Sequence, residues 1–172
     1  MKCNSLGLAV LLAAFAASAL AQTHTTGTLK CSKPDVSQNI EVGDHAGHVL
    51  IIEKGSCAWS APFEMAGLKT TASTFAEDVD VTDAKAQARG YLIISMDNGD
   101  KAYIRYQGPG TTSKEGVLTA EGTWSYTGGT GKLKGLKGKG TYKLSGTPDG
   151  ASESQVDGEY SLPEPSTTAK KK

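Results

Sequence analysis

Between residues 117 and 144, side chains alternate between apolar or small and polar with a period of two. Leu118, Ala120, Gly122, Trp124 and Tyr126 share one face, while Thr119, Glu121, Thr123 and Ser125 share the other. After a glycine-rich connection, Gly140, Tyr142 and Leu144 alternate with Lys139, Thr141, Lys143 and Ser145. Alternation of this kind marks strands with one buried and one wet face. The stretch therefore predicts a strand, a turn and a returning strand. The pattern recurs after the turn Thr147-Pro148-Asp149-Gly150, where Val156, Gly158 and Tyr160 alternate with Gln155, Asp157 and Glu159.

Other segments read as further strands. Thr25 to Cys31 is threonine-rich and ends at Ser32-Lys33-Pro34-Asp35, and Val36 to Gly47 is mixed and polar with glycine turn chemistry. Val49 to Glu53 is a β-branched run, read as a strand buried on both faces or capped at one end. Lys54-Gly55-Ser56 is read as a turn before a new strand at Cys57. Phe63 to Glu77 is rich in threonine but does not alternate cleanly. Asp78 to Ala88 is compatible with an edge strand, a hairpin tip or a short helix. Tyr91 to Met96 and Lys101 to Gln107 flank Asp97-Asn98-Gly99-Asp100, and Asn-Gly supplies the positive φ values of a tight hairpin. Gln107 to Gly116 reads as a loop.

The sum is about eight strands with glycine at strand positions and no long helix. Closure removes the adhesive edges that an open sheet of this size would carry. The prediction is an all-β chain, a single eight-stranded antiparallel β-barrel over residues 22–162. Barrels of this size are filled by side chains or hold one small ligand.

The first 21 residues read as a secretory leader: Lys2, an apolar run from Leu6 to Leu20, and small residues at Ala19 and Ala21 before Gln22. Residues 163–172 read as a solvated tail ending in three lysines. With 18 basic and 18 acidic side chains the formal charge is zero, which gives no reason to invoke nucleic acid. No second long apolar run is available for a membrane span. Beyond the leader two cysteines remain, Cys31 and Cys57, and an even pair in an exported chain predicts a disulfide. The address expected is the periplasm or the exterior.

Gly128-Gly129-Thr130-Gly131-Lys132-Leu133-Lys134-Gly135-Leu136-Lys137-Gly138 resembles the G-G-[ST]-G-x-φ-x-G-x-x-G turn of allene oxide cyclases and, more loosely, of dirigent proteins. The wider pattern also looks like exported bacterial proteins of unassigned function. The resemblance implies an eight-stranded barrel of the allene oxide cyclase type. It carries over no catalytic residue, because the chemistry of those enzymes depends on cavity residues outside this turn.

Candidate chemistry is sparse. The glycine-lysine turn is not a phosphate loop, since Leu133 follows Gly131-Lys132 and Tyr126 stands where the first glycine belongs. Lys132, Lys134, Lys137, Lys139 and Lys143 form a basic patch without interleaved aromatics for bases, and read as a solvated surface. His45 and His48 lie beside Asp44, but their spacing before a strand does not predict convergence, so no metal is assigned. No nucleophile elbow is present, and acidic pairs such as Glu77-Asp78 read as solvent-facing. Arg105 stands in an apolar strand between Tyr103 and Tyr106; facing inward it would need a carboxylate, facing outward it is ordinary surface.

The leading functional expectation is non-enzymatic: an exported barrel binding a small, partly apolar molecule, without cofactor, in a cavity lined by Trp124, Tyr126, Tyr103 and Arg105. The alternatives are a cofactor-free isomerase or cyclase that shapes its substrate in a dry cavity, and a filled barrel acting through its surface.

Overall fold

The computed structural model describes residues 22–163, so the leader reading and all but the first residue of the predicted tail lie outside the described residues. Ten strands follow in chain order: β1 (Thr23–Cys31), β2 (Val36–Glu41), β3 (His48–Trp59), β4 (Glu64–Met65), β5 (Leu68–Thr82), β6 (Lys85–Met96), β7 (Lys101–Thr112), β8 (Leu118–Gly129), β9 (Lys137–Gly146) and β10 (Ser152–Ser161). All pairings are antiparallel, in the order β2-β3-β1-β10-β9-β8-β7-β6-β5-β4, and a further β3–β5 pairing closes the sheet. Eight strands thus form a closed barrel, as the alternation predicts. β2 and β1 lie one after the other along the same edge of β3: β2 takes Val49 to Lys54, and β1 takes Cys57 to Trp59. β4 is a short return onto the start of β5.

Several elements differ from the sequence reading, each for a local reason. β3 is one strand, not two: Gly55 continues it, because its missing side chain leaves room for the Phe75 ring, whose Cε1 would lie 2.6 Å from a Cβ at that position. Its Val49–Ile52 run is not buried on both faces; Ile52 is 39% exposed on the outer side. The segment read as mixed and polar holds β2, whose side chains are all exposed. Phe63 to Glu77 fails to alternate because a bulge at Thr71 shifts the register between Thr70 and Ala72. Leu68 therefore faces inward before the bulge, and Ser73 and Phe75 after it. Asp78 to Ala88 is the tip of the long β5–β6 hairpin, turning at Asp83 with φ of 55°. Residues read as a loop after Gln107 continue β7 to Thr112. The β7–β8 ladder skips a step there, around Pro109, which has no N–H to donate.

The interior has two regions. At the end of the Asp97–Asp100 hairpin, Met65, Ile94, Met96, Ala102, Leu133 and Leu136 pack solidly with exposures of 0–3%. Leu133 and Leu136 belong to the turn Gly128–Gly138, which folds as a short 3-10 turn at Gly131–Leu133. That turn is docked onto the hairpin: the Lys132 N–H donates to Asp100 Oδ2 (2.9 Å) and the Lys101 N–H to Thr130 Oγ1 (2.8 Å). The glycine-lysine turn is thus a stopper for one end of the barrel. Farther along, the inward positions carry small side chains such as Ala86, Ala88, Ala120, Ser152 and Ser154, and the barrel is hollow.

Cys31 and Cys57 face each other across β1 and β3 and form a disulfide, with an S–S distance of 2.03 Å. It sits on the shortest seam of the barrel. Only three residue pairs join β1 to β3, against nine that join β1 to β10.

Candidate functional site

The hollow part is a cavity of about 160 Å³. Its wall is mostly apolar and aromatic, with Leu92, Ile104, Trp124, Tyr126, Leu144 and Val156 contributed by five strands. Trp124 and Tyr126 are therefore placed where the sequence put them, meeting edge to face at 5.2 Å between ring centroids. Trp124 is 6% exposed, and its Nε1–H donates to the Thr141 carbonyl at 3.1 Å. The ring lies over Gly140 and Gly158, where an added Cβ would approach Cζ2 to 2.6 and 2.4 Å. Glycine on the inner face is what lets a bulky ring lie flat against the wall.

Tyr103 and Arg105 do not line this cavity. On β7 the inward residues are Ala102, Ile104 and Tyr106, so Tyr103 and Arg105 have the opposite parity and face outward, Arg105 exposed. The inward phenol of this strand is Tyr106, which the sequence reading treated only as a neighbour of Arg105.

Two acidic residues that read as surface groups or strand ends lie on the inner side of the barrel. Glu77 and Glu53 are directly paired across β5 and β3 and both line the cavity. The Tyr106 hydroxyl donates to Glu77 Oε2 at 3.1 Å, and the Tyr142 ring meets Tyr106 edge to face at 6.1 Å. Glu53 accepts from the Ser37 hydroxyl at 2.9 Å. The signal was present in the sequence: Phe75, Val79 and Val81 alternate with polar residues, and Glu77 stands on their face. Burial pushes the Glu77 carboxyl up to about 7; the Tyr106 hydrogen bond opposes the rise, and the nearby Glu53 and Asp78 charges add to it. Burial also raises the Tyr106 and Tyr142 phenols, so both stay neutral at physiological pH.

A pH dependence of stability follows. The folded value of about 7 lies above the ordinary 4.5, so folding favours the protonated carboxyl. The stability this gives is full below pH 4.5 and is lost as pH rises through 7, by at most about 3 kcal/mol. Glu77→Gln, which keeps an acceptor for Tyr106, is expected to be relatively more stable at pH 8.5 than at pH 4.5. Urea denaturation of both proteins at the two pH values measures this, and a difference independent of pH would refute it.

Outside the cavity, Asp44, His45 and His48 place ligand atoms within 4.8 Å of one another, the set among the described residues that offers metal-binding donors. The histidine rings lie 4.9 Å apart, contrary to the spacing argument. Gly43 and Gly47, with φ of 83° and 80°, fold the segment into a turn that brings them together. His48 is held on both sides, Nδ1 to Asp44 at 2.6 Å and Nε2 to Asp80 at 3.1 Å. These hydrogen bonds, that to Asp44 first, raise its pKa and favour an imidazolium between two carboxylates. Lys132, Lys134, Lys137, Lys139 and Lys143 are all exposed.

No helix among the described residues is long and apolar enough to cross a membrane. Compared with known proteins, the chain matches no protein-family model and no curated protein sequence.

Proposed function

We propose that this barrel binds a small, partly apolar molecule in the cavity of its hollow part, beyond the solid end. The observation that carries the reading is the aromatic, largely apolar space of about 160 Å³ containing a few converging polar groups, Glu77, Tyr106 and Glu53. Its size compares with the roughly 150 Å³ apolar cavity that admits benzene in another protein. The reading includes export, supported by the leader pattern and the disulfide. It also includes kinship with allene oxide cyclase-like barrels, supported by the eight-strand closure and the turn Gly128–Gly138 after a strand.

The test is methyl NMR during titration with benzene. The expected result is saturable shifts at Leu118, Leu144 and Val156, which line the cavity, with Leu133 and Ile94 of the solid end unmoved. Shifts confined to the outer-face residues Leu50 and Ile93, or none, would overturn the reading. A second reading, a cofactor-free isomerase, is favoured by one observation: a carboxyl titrating near neutrality beside a phenol can accept and return a proton.

A further inference from the structure

Glu53 and Glu77 are an unusual pair to find in an apolar barrel. They occupy facing positions on adjacent strands, both on the inner side, and no lysine, arginine or histidine lines the cavity with them. Among the described residues neither forms an ion pair. Carboxylates on the outer face of the same sheet do find counter-charges: Asp78 holds the Arg89 guanidinium at 2.8 Å, and Asp80 holds His48 at 3.1 Å. A buried carboxylate without a counter-charge is costly, which applies to Glu77; Glu53 is half-buried and accepts from Ser37, and its charge beside Glu77 repels. The surrounding rings add to the asymmetry. The faces of Tyr106, Tyr142 and Trp124 carry the negative side of the aromatic quadrupole, which attracts cations and not anions.

We propose that the cavity takes a small apolar amine, its ammonium held by Glu77 and Glu53 and its apolar body lodged against Trp124, Leu144 and Val156. This rests on the reading that the cavity is a binding site, and adds the charge and class of the ligand. The volume of about 160 Å³ fits one ring with a short arm. The ammonium supplies the positive charge that the wall lacks, and aromatic rings and carboxylates are the groups that attract alkylammonium ions.

Binding is accompanied by loss of the Glu77 proton. The groups facing this carboxyl are Glu53 from β3, Tyr106 from β7 and Tyr142 from β9, with Asp78 acting from the outer side of β5; β6 presents Gly90, which has nothing to titrate. Of these only the Tyr106 hydroxyl, which donates to Glu77, favours the ionised form, and none carries a positive charge, so an arriving cation shifts the carboxyl further toward ionisation. Affinity therefore rises as pH climbs through 7.

Calorimetric titration of the purified protein at pH 7.5 with benzylamine, its neutral analogue ethylbenzene and the anion benzoate tests the proposal. Benzylamine is expected to bind at least tenfold more tightly than ethylbenzene, with proton release, and benzoate not to bind. Glu77→Gln and, separately, Glu53→Gln are expected to weaken benzylamine far more than ethylbenzene, so that the preference for the amine shrinks. Equal binding of benzylamine and ethylbenzene, or preferred benzoate, would overturn the amine assignment and leave the cavity a general apolar site. Binding of none of the three would overturn the binding reading as well.

Discussion

Trp124→Ala is expected to destabilise the barrel by about 4 kcal/mol, lowering Tm by roughly 10–15 °C. Truncating a buried aromatic ring removes its contacts and leaves a hole whose cost depends on whether neighbours can collapse into it. Here they cannot. The residues beneath the ring are Gly140 and Gly158, which have no side chains to move, and on its other side lies the existing cavity. The Thr141 carbonyl also loses its indole donor. Trp59→Ala is the control. Its ring is stacked on Phe63 at 5.0 Å but is less buried, and its Nε1–H has no partner among the described residues, so a smaller loss is expected. Chemical denaturation of the two variants checks the order; a loss below about 1 kcal/mol for Trp124→Ala would mean that the ring does not pack as described.

Removing the disulfide by joint Cys31→Ser and Cys57→Ser substitution is expected to cost about 3–4 kcal/mol. That is the chain-entropy value for a loop of this size, in a model whose mechanism is debated. The location gives the prediction a second, sharper part. The bond reinforces a seam of three residue pairs, whereas the neighbouring β1–β10 seam has nine. Loss of the crosslink is expected to open the barrel locally at β1–β3, and amide exchange should accelerate at Leu29–Cys31 and Cys57–Trp59 well before it does along β10. Uniform acceleration over all strands would show that the bond acts through the unfolded chain alone.

The barrel was legible because its best strands alternate strictly. Leu118 to Tyr126, Tyr142 and Leu144, and Val156 to Tyr160 face as their period of two requires, and Trp124 and Tyr126 line the cavity on that account. Misreadings arose where one residue carries two meanings. Gly55 is turn chemistry in sequence but a seat for Phe75 in space, and Gly108 and Pro109 suggest a loop yet sit in a strand. The bulge at Thr71 hid the inner face of β5 by shifting its parity once. Tyr103 and Arg105 have side chains suited to a cavity wall, but alternation with Ile104 sets them on the opposite side. The interior carboxylates were obscured by composition: Glu77 adjoins Asp78 in sequence, and a charged pair reads as surface until each is assigned to its own face.

The nine-rung union of β1 with β10 also sets an order on assembly. β1 emerges early from the ribosome, whereas its main partner, Ser152–Ser161, follows more than a hundred residues later. At cellular rates of synthesis that interval is on the order of ten seconds. During it the hairpins from β5 to β9 can zip up locally, each strand with the one before it, while β1 has no completed barrel to join. Cys57, by contrast, arrives only 26 residues after Cys31. In an oxidising compartment that short loop closes more readily than the long-range β1–β10 union, and the final closure becomes the capture of β10 by a β1 already moored beside β3.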